Sequence, residues 1–261
     1  MNRRLESWQK ITLRSGGATH QGKVRANNQD AYAVTDGVFV LTDGMGGHSG
    51  GEVASEVAAT TVVKLFSEPS RGRKAAERRS RSGLENAVTV ANHEVIKRAA
   101  TNPDLRGMGT TLCAIVAATS QDGAPILAVA NVGDSRVYRL TAGALSQVSE
   151  DHSLVADLVR AGELSATEAA RHPQRNVLTR ALGIEVNLAV DTWELAPVAG
   201  DRFLLCSDGL FNELDHRTIT DALLNFEEPQ DAADALTGAA VAAGGHDNVT
   251  VLVVDVTEAP E

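Results

Sequence analysis

The stretch DAYAVTDGVFVLTDG, residues 30–44, decides the fold of this chain. Asp36-Gly37 stands between two alternating apolar runs, which is the pattern of a β-hairpin with a two-residue turn. Such a turn fixes the register, so we expect Asp30 to lie opposite Asp43 with both side chains on one face. Two carboxylates with β-carbons about 5 Å apart repel by about 3 kcal/mol at an effective dielectric of about 20. A bound cation would remove that repulsion.

Further aspartates stand at the ends of apolar, strand-like runs. RFLLCSDG repeats the layout of VFVLTDG and puts Asp208 where a strand ends, and AVANVGD does the same for Asp134. Asp247 precedes VTVLVVDV and stands where a strand begins. Strand exits and strand entrances share an edge in an antiparallel sheet, so Asp208 and Asp247 can converge with the hairpin pair. Asp134 by itself fits a turn or a cap equally well.

Arg25 lies five residues before Asp30, near the same predicted sheet edge. Its planar guanidinium could hold two oxygens of a phosphate, or it could simply pair with a buried carboxylate. Neither reading is excluded by position alone. Several aspartates beside an arginine nevertheless favour phosphoryl chemistry, because hydrolysis of a phosphate monoester needs a very large rate acceleration that two metal ions can supply.

The glycine-rich run GMGGHSGG at 44–51 follows Asp43. It lacks the Lys and Ser/Thr of a Walker loop and does not match GxGxxG, which excludes an NTPase or a dinucleotide-binding loop. Glycines let a backbone approach a metal ion closely, and the Gly44 carbonyl is itself a candidate ligand. A ligand set of oxygens alone selects Mg²⁺ or Mn²⁺, with Ca²⁺ less favoured because the chain has no EF-hand loop.

Composition limits the class of protein. The chain has 261 residues, 43% of them apolar, which suits one large core, and its net charge of −10 argues against a nucleic-acid or anionic-membrane surface. Cys113 and Cys206 lie in apolar runs, which indicates reduced, buried thiols, and neither is followed six residues later by the Arg of a cysteine-dependent phosphatase loop. The first residues lack a signal-peptide pattern and no apolar run reaches about 20 residues. We therefore expect a cytoplasmic protein.

Strands and helices come in separate groups, which predicts an α+β fold. We expect helices at 52–66, opened by a Ser49–Glu52 capping box, at about 83–101 and at 230–243, where Gly244-Gly245 follows. Residues 151–176 interrupt the pattern with two short helical pieces that could flank a site. Residues 71–81 carry six Lys or Arg, and this segment is either a solvated loop or a docking site for an acidic partner.

Seven motifs then occur in a fixed order. They are RANNQD at 25–30, DGMGG at 43–47, GTT at 109–111, NVGDSR at 131–136, LTRALG at 178–183, LLCSDGL at 204–210 and DNVT at 247–250. This set resembles the metal-dependent type 2C (PPM) serine/threonine protein phosphatases, particularly their bacterial branch. The resemblance implies a sandwich of two antiparallel β-sheets flanked by helices. It spans about residues 15–256 as one catalytic domain with a flap at about 151–176, leaving an extension at 1–14 and a tail at 257–261.

The resemblance also implies a role for each candidate residue and a centre of two Mn²⁺ or Mg²⁺ ions. The implied roles are these: Asp43 bridges both ions, Asp208 and Asp247 complete the ligands of the first, Gly44 offers its carbonyl to the second, Asp30 orients water, Arg25 holds the substrate phosphate, and Asp134 with Asp208 forms a third metal site.

Two positions depart from the animal-type members of the family. Those members have Glu where this chain has Gln29 and His where it has Met45, so the general acid is unassigned. His48 and His246 lie beside the metal aspartates in sequence, and we interpret both as structural or surface residues.

We expect direct attack of a metal-bridging hydroxide on phosphoserine or phosphothreonine, with phosphoproteins, Ser/Thr kinases and kinase targets as partners of a monomeric enzyme. A two-metal phosphodiesterase or nuclease is the competing enzyme class, which the acidic surface disfavours. A non-catalytic phosphoprotein-binding module is the third alternative, although loss of a ligand aspartate would then be expected.

Overall fold

The computed structural model describes residues 11–46, 50–68 and 77–259. The strands within these residues have the following bounds: β1 Ile11–His20, β2 Asp30–Thr35, β3 Val38–Met45, β4 Gly109–Thr110, β5 Leu112–Thr119, β6 Pro125–Val132, β7 Arg136–Thr141, β8 Ala144–Gln147, β9 Asp191–Leu195, β10 Arg202–Cys206 and β11 Val249–Glu258.

The helices within the same residues have these bounds: α1 Gly50–Ser67, α2 Arg81–Thr101, α3 Leu154–Arg160, α4 Ala166–Ala169, α5 Asp208–Phe211, α6 His216–Asn225 and α7 Pro229–Ala243, with a 3₁₀ turn at Pro103–Leu105.

The described strands form two antiparallel sheets. The first has the order β1-β11-β10-β7-β8, and the second has the order β2-β3-β5-β6-β9 with the short β4 beside β3. Helices α1 and α2 pack on the outer face of the second sheet, and α6 and α7 pack on the outer face of the first. This α-β-β-α arrangement confirms the predicted α+β sandwich of two antiparallel β-sheets flanked by helices.

Strand β3 explains why the run after Asp36-Gly37 is apolar throughout. Val38 and Val40 belong to the core under α1 and α2, whereas Phe39 and Leu41 belong to the core between the sheets. Successive side chains of a strand point to opposite faces, so a strand buried on both faces has no polar alternation. Full burial of each of these side chains contributes roughly 1.5–3 kcal/mol, which anchors the hairpin firmly.

The first sheet includes residues near both termini. β1 begins at Ile11 and pairs along its whole length with β11, which runs to Glu258. Residues 11–14 and 257–258 therefore belong to the sheet, whereas sequence analysis assigned them to the extension and the tail. Edge pairing with a long central strand gives their backbone groups partners that isolated terminal residues would lack.

Strand β1 was not predicted from sequence. It contains Gly16, and glycine lowers strand propensity. The structure gives the reason for the glycine. A β-carbon on Gly16 would overlap the backbone of Gln230 at the start of α7, so only glycine lets that helix approach the sheet so closely.

The predicted helices at 52–66, 83–101 and 230–243 correspond to α1, α2 and α7, with ends that differ by at most two residues. Ser49 of the predicted capping box lies outside the described residues. In the 151–176 segment, the predicted pair Ser165 and Glu168 forms a complete capping box at the start of α4.

The basic segment at 71–81 falls partly outside the described residues, which resume at 77. Arg79 donates hydrogen bonds to the carbonyls of Asp36 and Ala117, at 2.8 and 3.2 Å, and thereby fastens the start of α2 to the hairpin turn. Arg78 donates to the Glu68 carbonyl at 2.6 Å. These two arginines therefore have structural partners rather than freely solvated side chains.

The cysteines and the helices bear on the compartment predicted from sequence. Cys113 and Cys206 are both buried free thiols, as the apolar runs around them predict. Among the described residues, no helix combines the length and the apolarity needed to cross a bilayer.

Candidate metal centre and cleft

The β2–β3 hairpin has the register that its two-residue turn predicts. Asp30 pairs with Asp43, and Thr35 pairs with Val38 beside the turn. Asp30 is buried and Asp43 is partly buried at the far end of the hairpin. The sequence prediction that these two carboxylates meet at one strand edge is confirmed.

Three other aspartates stand where strands of the two sheets begin or end. Asp208 is the first residue of α5, directly after β10, and Asp247 lies two residues before β11. Asp134 lies in the turn between β6 and β7. Because β10 and β11 are antiparallel neighbours, the end of one lies beside the start of the other, and their aspartates come to one edge of the sandwich.

The pKa values show that these carboxylates form one electrostatic cluster. The pKa of Asp43 is raised well above its usual range, first by burial and then by the negative charges of four other carboxylates. Those neighbours are Asp30, Asp208, Asp134 and Asp247. The pKa of Asp208 is also raised, by burial and then by Asp134 and Asp247. A site that resists ionisation of its own carboxylates is a site where a divalent cation would be stabilised.

Two hydroxyl groups fix the orientation of Asp30. Ser207 Oγ donates to Asp30 Oδ2 at 2.8 Å, and Thr250 Oγ1 donates to the same oxygen at 2.7 Å. Asp30 Oδ1 is buried and has no hydrogen-bond partner in the part of the chain that the structure describes. Burial raises the pKa of Asp30 to about 6 against the opposing effect of these hydrogen bonds. A buried, unpartnered carboxylate oxygen is expensive unless it faces a ligand.

The GTT motif at 109–111 holds the backbone of Asp43. Thr111 Oγ1 accepts a hydrogen bond from the Asp43 amide at 3.0 Å, and the Asp43 carbonyl accepts from the Thr111 amide at 2.8 Å and from Thr110 Oγ1 at 2.9 Å. Thr111 Oγ1 also contacts Ser135 Oγ at 2.6 Å. The main chain of Asp43 is therefore held on both its amide and its carbonyl side, which fixes where β3 presents the carboxylate.

Gly44 must be glycine because two backbone segments meet there. A β-carbon at this position would overlap the Gly51 carbonyl and lie 2.6 Å from the Gln29 carbonyl oxygen. The Gly44 amide donates to that Gln29 carbonyl at 3.0 Å. Gly44 therefore lies in close contact with Gln29, the residue before Asp30. Without a side chain, its backbone can approach a ligand closely.

Asp208 and Asp247 each hold a protein partner. Asn212 Nδ2 donates to Asp208 Oδ2 at 3.0 Å. Arg25 Nη2 donates to Asp247 Oδ2 at 2.6 Å, and the Asn248 amide donates to Asp247 Oδ1 at 2.8 Å. Each carboxylate is therefore oriented by one or two donors and keeps further acceptor capacity.

Arg25 is brought to the cluster by Asn248. The Asn248 side chain donates to the carbonyls of Gln21 and Asn27 and accepts from the Gln29 amide, which ties the RANNQD motif to the DNVT motif. The Arg25 side chain is 53% exposed. Arg25 therefore forms an ion pair, which is one of the two roles considered from sequence. Its exposed guanidinium also keeps N–H groups that a ligand can use.

Asp134 is positioned by a buried histidine that sequence reasoning missed. His152 Nδ1 accepts a hydrogen bond from the Gly133 amide at 3.1 Å, and His152 Nε2 lies 3.0 Å from Asp191 Oδ2. Arg180 Nη1 donates to Asp191 Oδ1 at 2.7 Å. Burial raises the pKa of Asp134 to about 6, with Asp151 as the next cause, and burial lowers the pKa of His152.

The donor set fits a hard divalent cation by its chemistry, since it consists of carboxylates and a carbonyl and includes the unpartnered Asp30 Oδ1. As the side chains stand, however, no three Asp, Glu, His or Cys residues within 11–46, 50–68 and 77–259 converge closely enough to hold one ion. Asp208 and Asp247 point to Asn212 and Arg25 instead.

Two histidines, His48 and His246, lie near these aspartates in sequence. His48 lies outside the described residues. His246 is 76% exposed at its side chain, and its Nδ1 lies 2.7 Å from Glu213 Oε1. This surface pairing agrees with the structural interpretation made from sequence.

Ser207, Thr250 and Asn248 are the other residues that sequence reasoning missed. Each lies directly beside, or within three residues of, a predicted ligand aspartate, and that adjacency is the only sequence signal they carry. Their partners among residues 21–30 are 177 to 227 residues away, so only the fold reveals what they orient.

Comparisons with known proteins agree with this geometry. The family model of protein phosphatase 2C matches residues 17–239. The serine/threonine phosphatase Stp of Listeria welshimeri is 38% identical over 242 residues, which cover 91% of this chain and 93% of that protein.

Solved structures give the same result. The crystal structure of the Mycobacterium tuberculosis serine/threonine phosphatase PstP/Ppp aligns with a TM-score of 0.81 at 39% identity, over 93% of this chain and 98% of that one. A structure of the PstP catalytic domain in complex with two manganese ions aligns with a TM-score of 0.80 at 37% identity, over 95% and 99% of the two chains. This chain therefore belongs to the protein phosphatase 2C (PPM) family, in its bacterial branch.

Proposed function

We propose that this chain is a metal-dependent protein serine/threonine phosphatase, which hydrolyses phosphoserine and phosphothreonine on proteins. The observation that carries the proposal is the cluster of carboxylates that raise the pKa of Asp43 at the end of the β2–β3 hairpin. Family membership supports it, since the serine/threonine phosphatases named above align over nearly the whole of this chain.

Two Mn²⁺ or Mg²⁺ ions are the proposed cofactors, and the two manganese ions in the aligned PstP structure support the choice of metal. Such ions supply Lewis-acid chemistry: they activate water for direct attack on phosphorus and neutralise charge on the phosphate. The residues that would hold these ions are those expected from the family resemblance: Asp43 would serve both ions, Asp208 and Asp247 the first, the Gly44 carbonyl the second, and Asp134 with Asp208 a third.

Asp30 is proposed to orient the attacking water. Its Oδ2 is held by Ser207 and Thr250, so its buried Oδ1 keeps one direction and can accept a proton at a fixed place beside Asp43.

Arg25 is proposed to hold the substrate phosphate. One Nη is occupied by Asp247, and the remaining N–H groups of the exposed guanidinium can bind two phosphate oxygens side by side. The ion pair with Asp247 thus holds the guanidinium beside the aspartates before substrate binds. Less conformational entropy of the side chain is then lost on binding.

Manganese-dependent turnover of p-nitrophenyl phosphate and of a phosphothreonine peptide tests the proposal, with Asp208→Asn as the matched inactive variant. We expect both monoesters to be hydrolysed only with added metal, and the variant to be inactive. Faster cleavage of bis-p-nitrophenyl phosphate than of the monoester would indicate a phosphodiesterase. Binding of the phosphopeptide without any turnover would indicate a non-catalytic phosphoprotein-binding module.

The substrates, the oligomeric state and the location are also proposals. Phosphoproteins are the substrates that the family implies, and we propose that they include Ser/Thr kinases and the targets of those kinases. We further propose that the enzyme is a monomer in the cytoplasm. The buried free thiols of Cys113 and Cys206 support a reducing compartment.

A further inference from the structure

A cleft of about 1250 Å³ opens beside the aspartate cluster. Its lining includes Asp134, Asp208 and Asp247 and also residues of the flap, 151–176. Small-molecule pockets have volumes of roughly 300–1,000 Å³. This cleft is therefore large enough for a stretch of polypeptide in addition to one phosphorylated side chain.

Most of the cations that line this cleft are already paired. Arg136 donates to the Asp151 carboxylate at 2.7 and 3.0 Å, and Arg160 pairs with Asp157. Arg25 pairs with Asp247. Their charges are thus largely balanced within the protein.

Arg171 and Arg175 differ from these three. Both line the cleft from the flap side and both are exposed. Within the described residues, neither guanidinium has a hydrogen-bond or ion-pair partner. On a chain of net charge −10, two unpaired cations beside one cleft form a local exception to the acidic surface.

The backbone around these arginines is ordered by its own hydrogen bonds. The Arg171 amide donates to the Glu168 carbonyl at the end of α4, and the Arg175 amide donates to the His172 carbonyl, both at 3.1 Å. The Leu154 amide donates to the Val177 carbonyl at 2.8 Å, which ties the far end of the segment to the start of α3. The two arginines therefore project from a turn that is fastened at both ends.

The same cleft also has apolar lining. Val155, Val159, Ala169 and Ala170 contribute from the flap, and Phe211 contributes from α5. A cleft that combines unpaired cations, apolar side chains and a phosphate-binding centre matches a peptide that carries a phosphorylated residue and a second anionic group.

We propose that Arg171 and Arg175 bind an anionic side chain of the phosphoprotein substrate, so that phosphorylation sites flanked by an acidic group are preferred. This inference rests on the proposed phosphatase function and specifies its substrate class. The anion is a carboxylate or a second phosphate, since an arginine fork binds either.

The test compares kcat/KM for a phosphothreonine peptide with Ala, Glu or Lys placed in turn at each flanking position. We expect one position at which Glu exceeds Ala and Lys falls below it, by roughly two- to five-fold per arginine, the range for exposed charge pairs. A non-hydrolysable phosphonate side chain at that position distinguishes the two anions, and the arm with the larger kcat/KM identifies the preferred one.

The variant Arg171→Glu/Arg175→Glu reverses the charge of the flap. We expect it to invert the ratio of kcat/KM for the Glu and Lys peptides. Arg98→Glu/Arg106→Glu is the matched control, because both residues are exposed, lie outside the cleft lining and give the same change in net charge. The control should keep the wild-type ratio. Using the ratio within each variant removes any general change in activity.

Four results would overturn the inference, and they identify different failures. Turnover by the wild type that ignores flanking charge at every position would overturn this inference alone, and so would a ratio unchanged in the flap variant. An equal change of the ratio in the control variant would also overturn it, because net charge would then be the cause. Absence of turnover with every peptide would overturn the proposed phosphatase function and this inference together.

Discussion

Replacement of Asp30 by asparagine should stabilise the metal-free protein at neutral pH while it slows the reaction. Asp30 Oδ2 is satisfied by Ser207 and Thr250, whereas Oδ1 has no partner within the described residues. In Asp30→Asn the amide oxygen can keep the two hydroxyl contacts, and the amide nitrogen takes the place of Oδ1. The variant then presents a donor beside Asp43 where the wild type presents a second acceptor.

The magnitude follows from the pKa of Asp30, which burial raises from 3.8 to about 6. A carboxyl group whose pKa is higher in the folded chain than in the unfolded chain destabilises the fold as pH rises through that interval. The penalty is about 3 kcal/mol above pH 6, from a shift of about two units. It is only about 0.5 kcal/mol at pH 4, where the group is protonated in the folded chain and only about half ionised in the unfolded chain.

Urea and thermal denaturation in the presence of EDTA, at pH 4 and pH 7.5, measure this effect. We expect Asp30→Asn to exceed the wild type at pH 7.5 by up to about 3 kcal/mol, or roughly 6–12 °C in Tm, and to differ little at pH 4. With saturating Mn²⁺ the turnover of the variant should fall by roughly 10–100-fold.

Asp36→Asn is the matched control, because it makes the same chemical change in the same hairpin. Asp36 lies in the turn, and Asn-Gly supports that turn as well as Asp-Gly does. We expect no pH-dependent gain there. A variant Asp30→Asn that is less stable than the wild type in EDTA at pH 7.5, or a difference that is the same at both pH values, would refute the reasoning.

Three further predictions follow from the same contacts. Asp208→Asn should abolish manganese-dependent turnover, and calorimetric titration should show fewer bound Mn²⁺ ions. His152→Gln removes the acceptor for the Gly133 amide and should raise the Mn²⁺ concentration for half-maximal activity by about 10-fold, whereas His152→Asn, with an oxygen near the place of Nδ1, should retain the wild-type value more closely. Asp255→Ala leaves Arg202 buried without its carboxylate and should cost about 3–5 kcal/mol of unfolding free energy, measured by urea denaturation, with no change in Mn²⁺ affinity.

Different results would contradict each of these. Full Mn²⁺ binding by Asp208→Asn would remove that residue from the proposed ligands. Equal manganese requirements for His152→Gln and His152→Asn would show that the contact to Gly133 does not position Asp134. A loss of Mn²⁺ affinity in Asp255→Ala would show that the buried ion pair and the metal centre are not independent.

The hairpin and its aspartate pair could be predicted from sequence because every step was local. Asp36-Gly37 fixes the turn, the turn fixes the register, and the register brings Asp30 to Asp43. Asp208 and Asp247 could be placed at strand ends for the same reason. Convergence at one edge then follows from antiparallel pairing, whatever the rest of the chain does.

Contacts between distant segments could not be predicted. Nothing in the sequence connects Ser207 and Thr250 with Asp30, or His152 with Gly133, because those pairs form only once both sheets are assembled. Strand β9, which supplies Asp191, was also missed from sequence.

Strand β1 was likewise not predicted from sequence. Gly16 and Gly17 lower the strand propensity of β1, but the helix that requires the first of them begins more than 200 residues later. Local propensity therefore argued against a strand that tertiary packing demands.

Anomalous scattering at the manganese edge, from crystals grown with Mn²⁺, would locate the metal ions relative to the aspartates. We expect two ions bridged by the carboxylate of Asp43, with Asp208 and Asp247 turned from Asn212 and Arg25 onto the first ion. Ions bound elsewhere, or an Asp43 carboxylate that touches neither ion, would contradict this expectation.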